Sequence, residues 1–288
     1  FRSRERKVEI RLTFQKMVEY AKENGVKVII ICGDMFDSKN VTHATKNFIY
    51  ETFKPNPNID FLVLKGNHDE FELSNNDIPN LKLFSNEFLY YNYDNVTITG
   101  LNLNGGYYPN TFDLLSLNKD KFNILCLHGQ VCGTYNFNVD YCIPLNALSG
   151  KNINYVALGH IHNHYADSLQ DGTIYAYSGI LEPRGFDECG EKGFIEIEIN
   201  EKVNYKFIPF SKRQFHHIKC DVSSCKTASD ILNEINNNIN SISKDNLIKV
   251  ELLGEVDIEL NKDLDYISKV LNEKFYFAKV IDNTRVKI

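Results

Sequence analysis

Apolar positions recur at helical spacing from residue 8, with Val8, Leu12, Met17, Val18 and Ala21 on one side. Gly25 is placed to end the run, so an amphipathic helix over residues 8–24 is predicted, with those side chains inward. Residues 26–32 (VKVIIIC) form a continuous β-branched run that empties into Gly33 and Asp34, the pattern of a buried parallel strand. A helix over residues 42–53 and a strand over 59–64 (IDFLVL), ending at Gly66, repeat the rhythm and predict an α/β layer on a mostly parallel sheet.

The middle of the chain changes character. Residues 88–103, 122–127, 155–158 and 174–177 read as strands with few helices between them. Residues 194–199 and 203–208 alternate around Asn200-Glu201 and predict a hairpin. The sum is two stacked mixed sheets flanked by helices. From residue 215 the pattern restarts. A strand over 215–222 leads to a capping box at Thr227–Asp230, then to Ile231, Ile235, Ile239 and Ile242 at helical spacing. A strand over 247–253, a helix over 264–275 and a strand over 276–281 complete a βαβαβ unit. The expected division is a core of residues 1–214 and a small domain of residues 215–288.

Composition narrows the function only in part. A hydrophobic share of 43% and a charged share of 24% are ordinary for a globular chain. A net charge of −6 argues against a protein coated in nucleic acid, yet leaves room for an enzyme that meets DNA through a local patch and bound cations. The seven cysteines include no Cys-x-x-Cys pair, and Cys32 and Cys126 lie in apolar runs where the thiol serves as a small hydrophobe. This usage points to a reducing cytoplasm. No apolar run approaches the ~20 residues of a membrane span.

Four short motifs follow predicted strands: Gly33-Asp34-Met35-Phe36-Asp37, Gly66-Asn67-His68-Asp69, His128-Gly129 and Gly159-His160-Ile161-His162. Loops at the carboxyl ends of strands are where α/β enzymes build their sites. Hydrolysing a phosphodiester means stabilising added negative charge and generating hydroxide near neutral pH, and two divalent cations roughly 3.5–4 Å apart supply both. Asp34 is the candidate bridging carboxylate; Asn67, His128, His160 and His162 are the neutral ligands. The glycines before Asp34, Asn67 and His160 let the backbone come close to the metals. In a regular strand His160 and His162 would face the same side. His68 is placed to protonate a leaving oxygen, with Asp69 as its orienting partner. Each motif alone is weak; the four together in this order carry the reading. Asp37 reads as a loop brace, and His43, His164, His216 and His217 as surface or packing residues. Arg184, Lys212 and Arg213 are candidate phosphate contacts, with solvated surface charge as the equal alternative.

This order of motifs resembles the calcineurin-like metallophosphoesterase superfamily. Within it, residues 33–44 (GDMFDSKNVTHA), 178–194 (SGILEPRGFDECGEKGF) and Ile208-Pro209 are most similar to DNA repair exonuclease subunits of the SbcD type. The resemblance implies a four-layer α/β (α+β) fold with a small βαβαβ capping, DNA-contacting domain. It implies DNA phosphodiester hydrolysis in double-strand-break repair or end processing, with two divalent ions, manganese by resemblance and iron or zinc compatible with the ligand set. A homodimer working with an SbcC-like, SMC-type ATPase is the implied assembly. Asp34 looks like the bridging ligand, with Asn67, His128 and His160 completing one metal site and His162 serving the other. The family's opening Asp-x-His has no counterpart in residues 1–288, and Phe1 falls where the loop after that strand would run. The expectation is that the pair precedes Phe1. The chain stops after the tail's last strand, so its ATPase contact is expected to be absent or reduced. Two other readings stay open: a generic phosphoesterase acting on nucleotides or phosphoproteins, and a non-catalytic DNA-binding or scaffold subunit.

Overall fold

The computed structural model describes residues 3–36, 41–69, 73–74, 78–103 and 105–287. They fall into two units: residues 1–181 with 193–210, and residues 182–192 with 211–288. Among the described residues no helix is long and apolar enough to cross a membrane.

The first unit opens with α1 (Ser3–Glu23), β1 (Val28–Cys32), α2 (His43–Phe53), β2 (Asp60–Leu64) and β3 (Leu81–Leu83). The three strands form a parallel sheet in the order β1-β2-β3. Then come β4 (Leu89–Tyr93), β5 (Val96–Gly100), β6 (Phe122–His128), the short parallel pair β7 (Gln130–Cys132) and β8 (Cys142–Pro144), β9 (Tyr155–Gly159), β10 (Tyr165–Ser168) and β11 (Ile174–Tyr177). Apart from the β7–β8 pair, these make a six-stranded mixed sheet ordered β10-β11-β9-β6-β5-β4, antiparallel only at its two outer pairings. A hairpin of β12 (Gly193–Ile199) and β13 (Val203–Pro209) closes the unit, in the register Phe194↔Ile208.

Strand alternation builds the layers. On β2, Phe61 and Val63 join Val18, Ala21, Ile49 and Phe53 from the two helices, while Leu62 and Leu64 turn to the other face. There they meet Ile124 and Cys126 of β6, Ile98 of β5 and Tyr155 of β9, so the two sheets share a core. The opposite face of β6 carries Leu125 and Leu127 into a third cluster with Tyr107, Phe112, Ile143 and Leu148. That cover comes from loops, β8 and 3₁₀ turns at Pro109–Leu114 and Leu145–Ala147, not from α-helices as the flanking pattern suggested.

Two sequence expectations change. The apolar run 88–103 is a hairpin rather than one strand, because Asp94 turns the chain with φ 47° between β4 and β5. In α1 the inward stripe is shifted: Val8 and Leu12 are 57% and 46% exposed, whereas Arg6, Glu9 and Thr13 are buried. An Arg6–Glu9 ion pair of 2.5 Å lets polar residues occupy the inner stripe, since each charge has a partner where water is excluded.

The second unit carries β14 (Phe215–Asp221), α3 (Ala228–Ile239), β15 (Leu247–Leu253), β16 (Glu255–Val256), α4 (Leu264–Lys274), β17 (Phe277–Asp282) and β18 (Arg285–Val286). Its main sheet is parallel, β14-β15-β17. Ile231, Ile235 and Ile239 are fully buried against Val250 and Leu252. The capping box forms: Thr227 Oγ1 accepts from the Asp230 amide at 3.1 Å, and Asp230 Oδ2 accepts from the Thr227 amide at 2.9 Å. Residues 182–192 belong here because Phe186 packs edge-on against Phe215, with ring centres 5.0 Å apart.

Candidate metal centre

Four strands of the first unit deliver the motif residues to one place from their carboxyl ends. Asp34 follows β1, Asn67 follows β2, His128 is the last residue of β6, and His160 follows β9. In the β6–β9 ladder His128 lies opposite Gly159, so His160 is one residue beyond it. Ligand atoms of Asp34, His128 and His160 all lie within 4.8 Å of one another. Asn67 Oδ1 sits 2.9 Å from His128 Nε2 and 3.3 Å from His160 Nδ1.

Close approach explains the glycines. A Cβ on Gly33 would overlap the His128 ring, one on Gly66 the Asp34 carboxylate, and one on Gly159 the Cys32 carbonyl. Asp34 and His160 themselves lie at φ 52° and 99°, left-handed conformations that non-glycine residues seldom adopt. Such strain persists only where the surroundings over-determine it, and it gathers at functional sites.

The donor set fits a cation. His128 Nδ1 lies 2.7 Å from the Cys32 carbonyl oxygen and donates to it, which turns the Nε2 lone pair inward. Nε2 then faces Asn67 Oδ1, and Asp34 Oδ2 at 3.1 Å, so electron-rich atoms point at one another. A divalent ion among them would resolve that arrangement, and a histidine ligand whose other nitrogen donates to a backbone carbonyl is the usual metal-site orientation. Burial would push the Asp34 carboxyl up, but the adjacent His128 ring and a hydrogen bond from the His68 amide outweigh it and hold the group below the usual carboxylate range. Burial, then the neighbouring His128, pushes the His160 ring down, keeping it neutral and able to ligate.

His68 is exposed, and its amide donates to Asp34 Oδ1 at 2.9 Å, which fixes the residue beside the cluster. Asp69 differs from expectation. Its carboxylate is buried and accepts from the amides of Asp34 at 2.7 Å, Gly66 at 3.0 Å and Phe36 at 3.4 Å. It therefore ties the two ligand loops together instead of orienting the His68 ring. Asp69→Ala leaves three amides without their acceptor, and a loss of about 2–3 kcal/mol in stability with looser metal binding is expected. Urea denaturation and metal titration check it; an unchanged midpoint and affinity would remove the brace.

His162 does not join the cluster. The strand ends at Gly159 and His160 is left-handed, so the regular alternation expected of His160-x-His162 is absent. The backbone carbonyl of His162 accepts from the Ile180 amide at 3.2 Å. Arg184, Lys212 and Arg213 belong to the second unit. Arg184 pairs with Glu188 at 3.3 Å, and the exposed Lys212 gives its amide to Glu182. Arg213 is buried, stacked 3.5 Å over the Tyr276 ring and bonded to the Asp245 carbonyl, so its guanidinium is a packing element rather than a phosphate contact. His164 stacks on Phe207, and His217 pairs with Glu251, as packing and surface roles require. Asp37 lies outside the described residues.

Missed in the sequence was Tyr107. Its buried hydroxyl accepts from the His128 amide at 3.1 Å and donates to the Leu101 carbonyl at 2.9 Å. The Cys32 carbonyl was likewise unforeseen, because a backbone oxygen leaves no mark on residue type.

A carboxylate, an amide and two imidazoles converging at the carboxyl ends of strands place the chain among α/β proteins equipped to hold divalent metal. Residues 10–164, just over half of the chain, match the family model of the calcineurin-like phosphoesterases, and the chain belongs to that family. Its members bind divalent metals and hydrolyse phosphoesters. It is 28% identical over 212 residues, 66% of its length, to the DNA double-strand break repair protein Mre11 of Saccharolobus solfataricus, covering 55% of that protein. It is 22% identical over 249 residues, 79% of its length, to the uncharacterized metallophosphoesterase YhaO of Bacillus subtilis, covering 59% of that protein. The chain thus spans somewhat over half the length of the curated relatives it matches.

Proposed function

We propose that this chain is the nuclease part of a DNA-end-processing assembly that hydrolyses DNA phosphodiesters with two divalent ions, manganese being the preferred metal. The observation that carries the reading is the convergence of Asp34, Asn67, His128 and His160 in a chain similar to a double-strand break repair protein. Asp34, Asn67, His128 and His160 would hold one ion, with Asp34 shared between the two, and His162 would serve the second. No Asp-x-His occurs in residues 1–288, so within them the first site has the fuller ligand set. Metal bound there would supply Lewis acidity and an activated water nucleophile. His68, exposed beside the cluster, gives a proton to the leaving oxygen. Asp69 holds the Asp34 and Asn67 loops at a fixed separation. The second unit is the cap that contacts DNA, and the assembly is a cytoplasmic homodimer with an SMC-type ATPase.

The net charge of −6 favours one rival, a phosphoesterase acting on nucleotides or phosphoproteins. An assay separates them. The manganese-loaded protein is expected to degrade duplex DNA and to turn over a chromogenic phosphodiester. Its affinity for long DNA is expected to fall linearly on a log–log plot as salt rises, since phosphate contacts release counterions. Turnover of nucleoside monophosphates or phosphoserine without DNA cleavage would give the case to the rival.

A further inference from the structure

The first unit carries on its surface an aromatic group with no role in the core. Phe137 is 86% exposed and Tyr108 53% exposed. Tyr135 lies between them, its ring centre 5.7 Å from Tyr108 at a 40° tilt and 4.7 Å from Phe137 at 89°. Two separate loops contribute these rings, so the grouping is tertiary rather than an accident of local sequence. A contiguous exposed aromatic patch of this kind marks a contact surface.

Both loops are anchored on the metal ligands. Tyr108 follows Tyr107, whose hydroxyl holds the His128 amide. Strand β7 follows His128-Gly129 directly, and the loop bearing Tyr135 and Phe137 leaves its far end and returns at Tyr141. There the Tyr141 carbonyl accepts from the Gln130 amide at 3.0 Å, and the Tyr141 ring stands 5.7 Å from the His160 ring, edge to face. A Cβ on Gly129 would overlap that same carbonyl, so the base of the loop is tightly closed. Covalent reach then keeps the Tyr108 backbone within roughly 15 Å of the His128 amide, a span of a few nucleotides along a strand.

We infer that Tyr108, Tyr135 and Phe137 form a stacking platform for unpaired bases of a single-stranded DNA end whose backbone lies at the metal cluster. The inference rests on the DNA reading above and names the form of DNA that the site takes. A phosphodiester held at the cluster brings bases within reach of these rings, and every base offers a π-face to an aromatic side chain. A paired duplex end keeps its bases stacked on one another, so the platform selects strands that are frayed or already single.

The test compares binding of short single-stranded oligodeoxynucleotides by the wild-type protein and by Phe137→Ala and Tyr108→Ala, read before measurable cleavage. One strand carries bases, one is abasic throughout, and one carries 2-aminopurine as a stacking reporter. Each variant is expected to lose roughly 5- to 150-fold in affinity for the base-bearing strand. The abasic strand is expected to bind wild type and variants alike, and 2-aminopurine quenching to disappear in the variants. Both positions are exposed, so thermal unfolding midpoints should match and keep the comparison clean. Equal affinity of the wild type for base-bearing and abasic strands would overturn the platform while leaving the DNA reading intact. No saturable binding of either strand would sink the DNA reading and the platform with it. Loss of self-association in Phe137→Ala, with oligonucleotide affinity unchanged, would assign the rings to a second copy of the chain and overturn the platform as well.

Discussion

Asp34→Asn is expected to lower manganese affinity by roughly a hundredfold or more and to remove measurable phosphodiester hydrolysis, while leaving the fold intact. Asparagine is the fair replacement because it tolerates the left-handed backbone that Asp34 occupies at φ 52°. It also keeps an oxygen able to accept from the His68 amide, now made at 2.9 Å. What it removes is the charge, the one carboxylate in the cluster with His128 and His160 among the described residues. Supporting residues around metals already change affinity by about 10–100-fold, so a charged ligand should cost at least the upper end of that range. Elemental analysis after dialysis and titration calorimetry give the metal readout, and circular dichroism the fold. Full metal stoichiometry at wild-type affinity in this variant would strike Asp34 from the ligand set.

His68→Ala is expected to separate chemistry from metal binding. Its ring is exposed, and the contact that ties the residue to the cluster is its backbone amide, which alanine retains. Metal content should therefore stay at the wild-type level. Loss of a general acid typically costs about 10²–10⁴ in rate, and that range is expected for a phosphodiester with a poor leaving group. A substrate with a nitrophenolate leaving group, which leaves without a proton, should suffer much less. Two results would defeat the role: loss of metal, which makes His68 a ligand, or equal damage on both substrates, which makes it a positioning residue.

The layered core and the convergence of Asp34, Asn67, His128 and His160 were both open to a reading of residue pattern, for different reasons. Runs such as IDFLVL announce a strand buried on both faces, and the structure divides Phe61 and Val63 from Leu62 and Leu64 as period two demands. Helix α3 was legible because Ile231, Ile235 and Ile239 repeat at one helical face behind a capping box. Polar residues on a buried stripe defeated the phase of α1, since Glu9 and Thr13 are inward while Val8 and Leu12 face water. The Asp94 turn was readable in principle, an aspartate before an asparagine between two apolar runs, yet the apolar continuity outweighed it. At the site, residue types pointed to the side chains that converge, but two things lay beyond them. Asp69 spends its carboxylate on backbone amides 3 to 35 positions away, and such partners leave no trace in side-chain identity. The placement of residues 182–192 depends on Phe186 finding Phe215 and Phe277, a packing choice invisible in a glycine- and charge-rich loop.

The left-handed backbone at His160 sets durability against chemistry. At φ 99° an L-residue carries a conformational penalty on the order of 1–3 kcal/mol that glycine does not feel. A selection for heat resistance alone would therefore drift toward glycine at this position and discard an imidazole from the cluster. Stabilised descendants of this chain should be screened for metal content before they are screened for melting point, because the most robust among them are the ones prone to be inert.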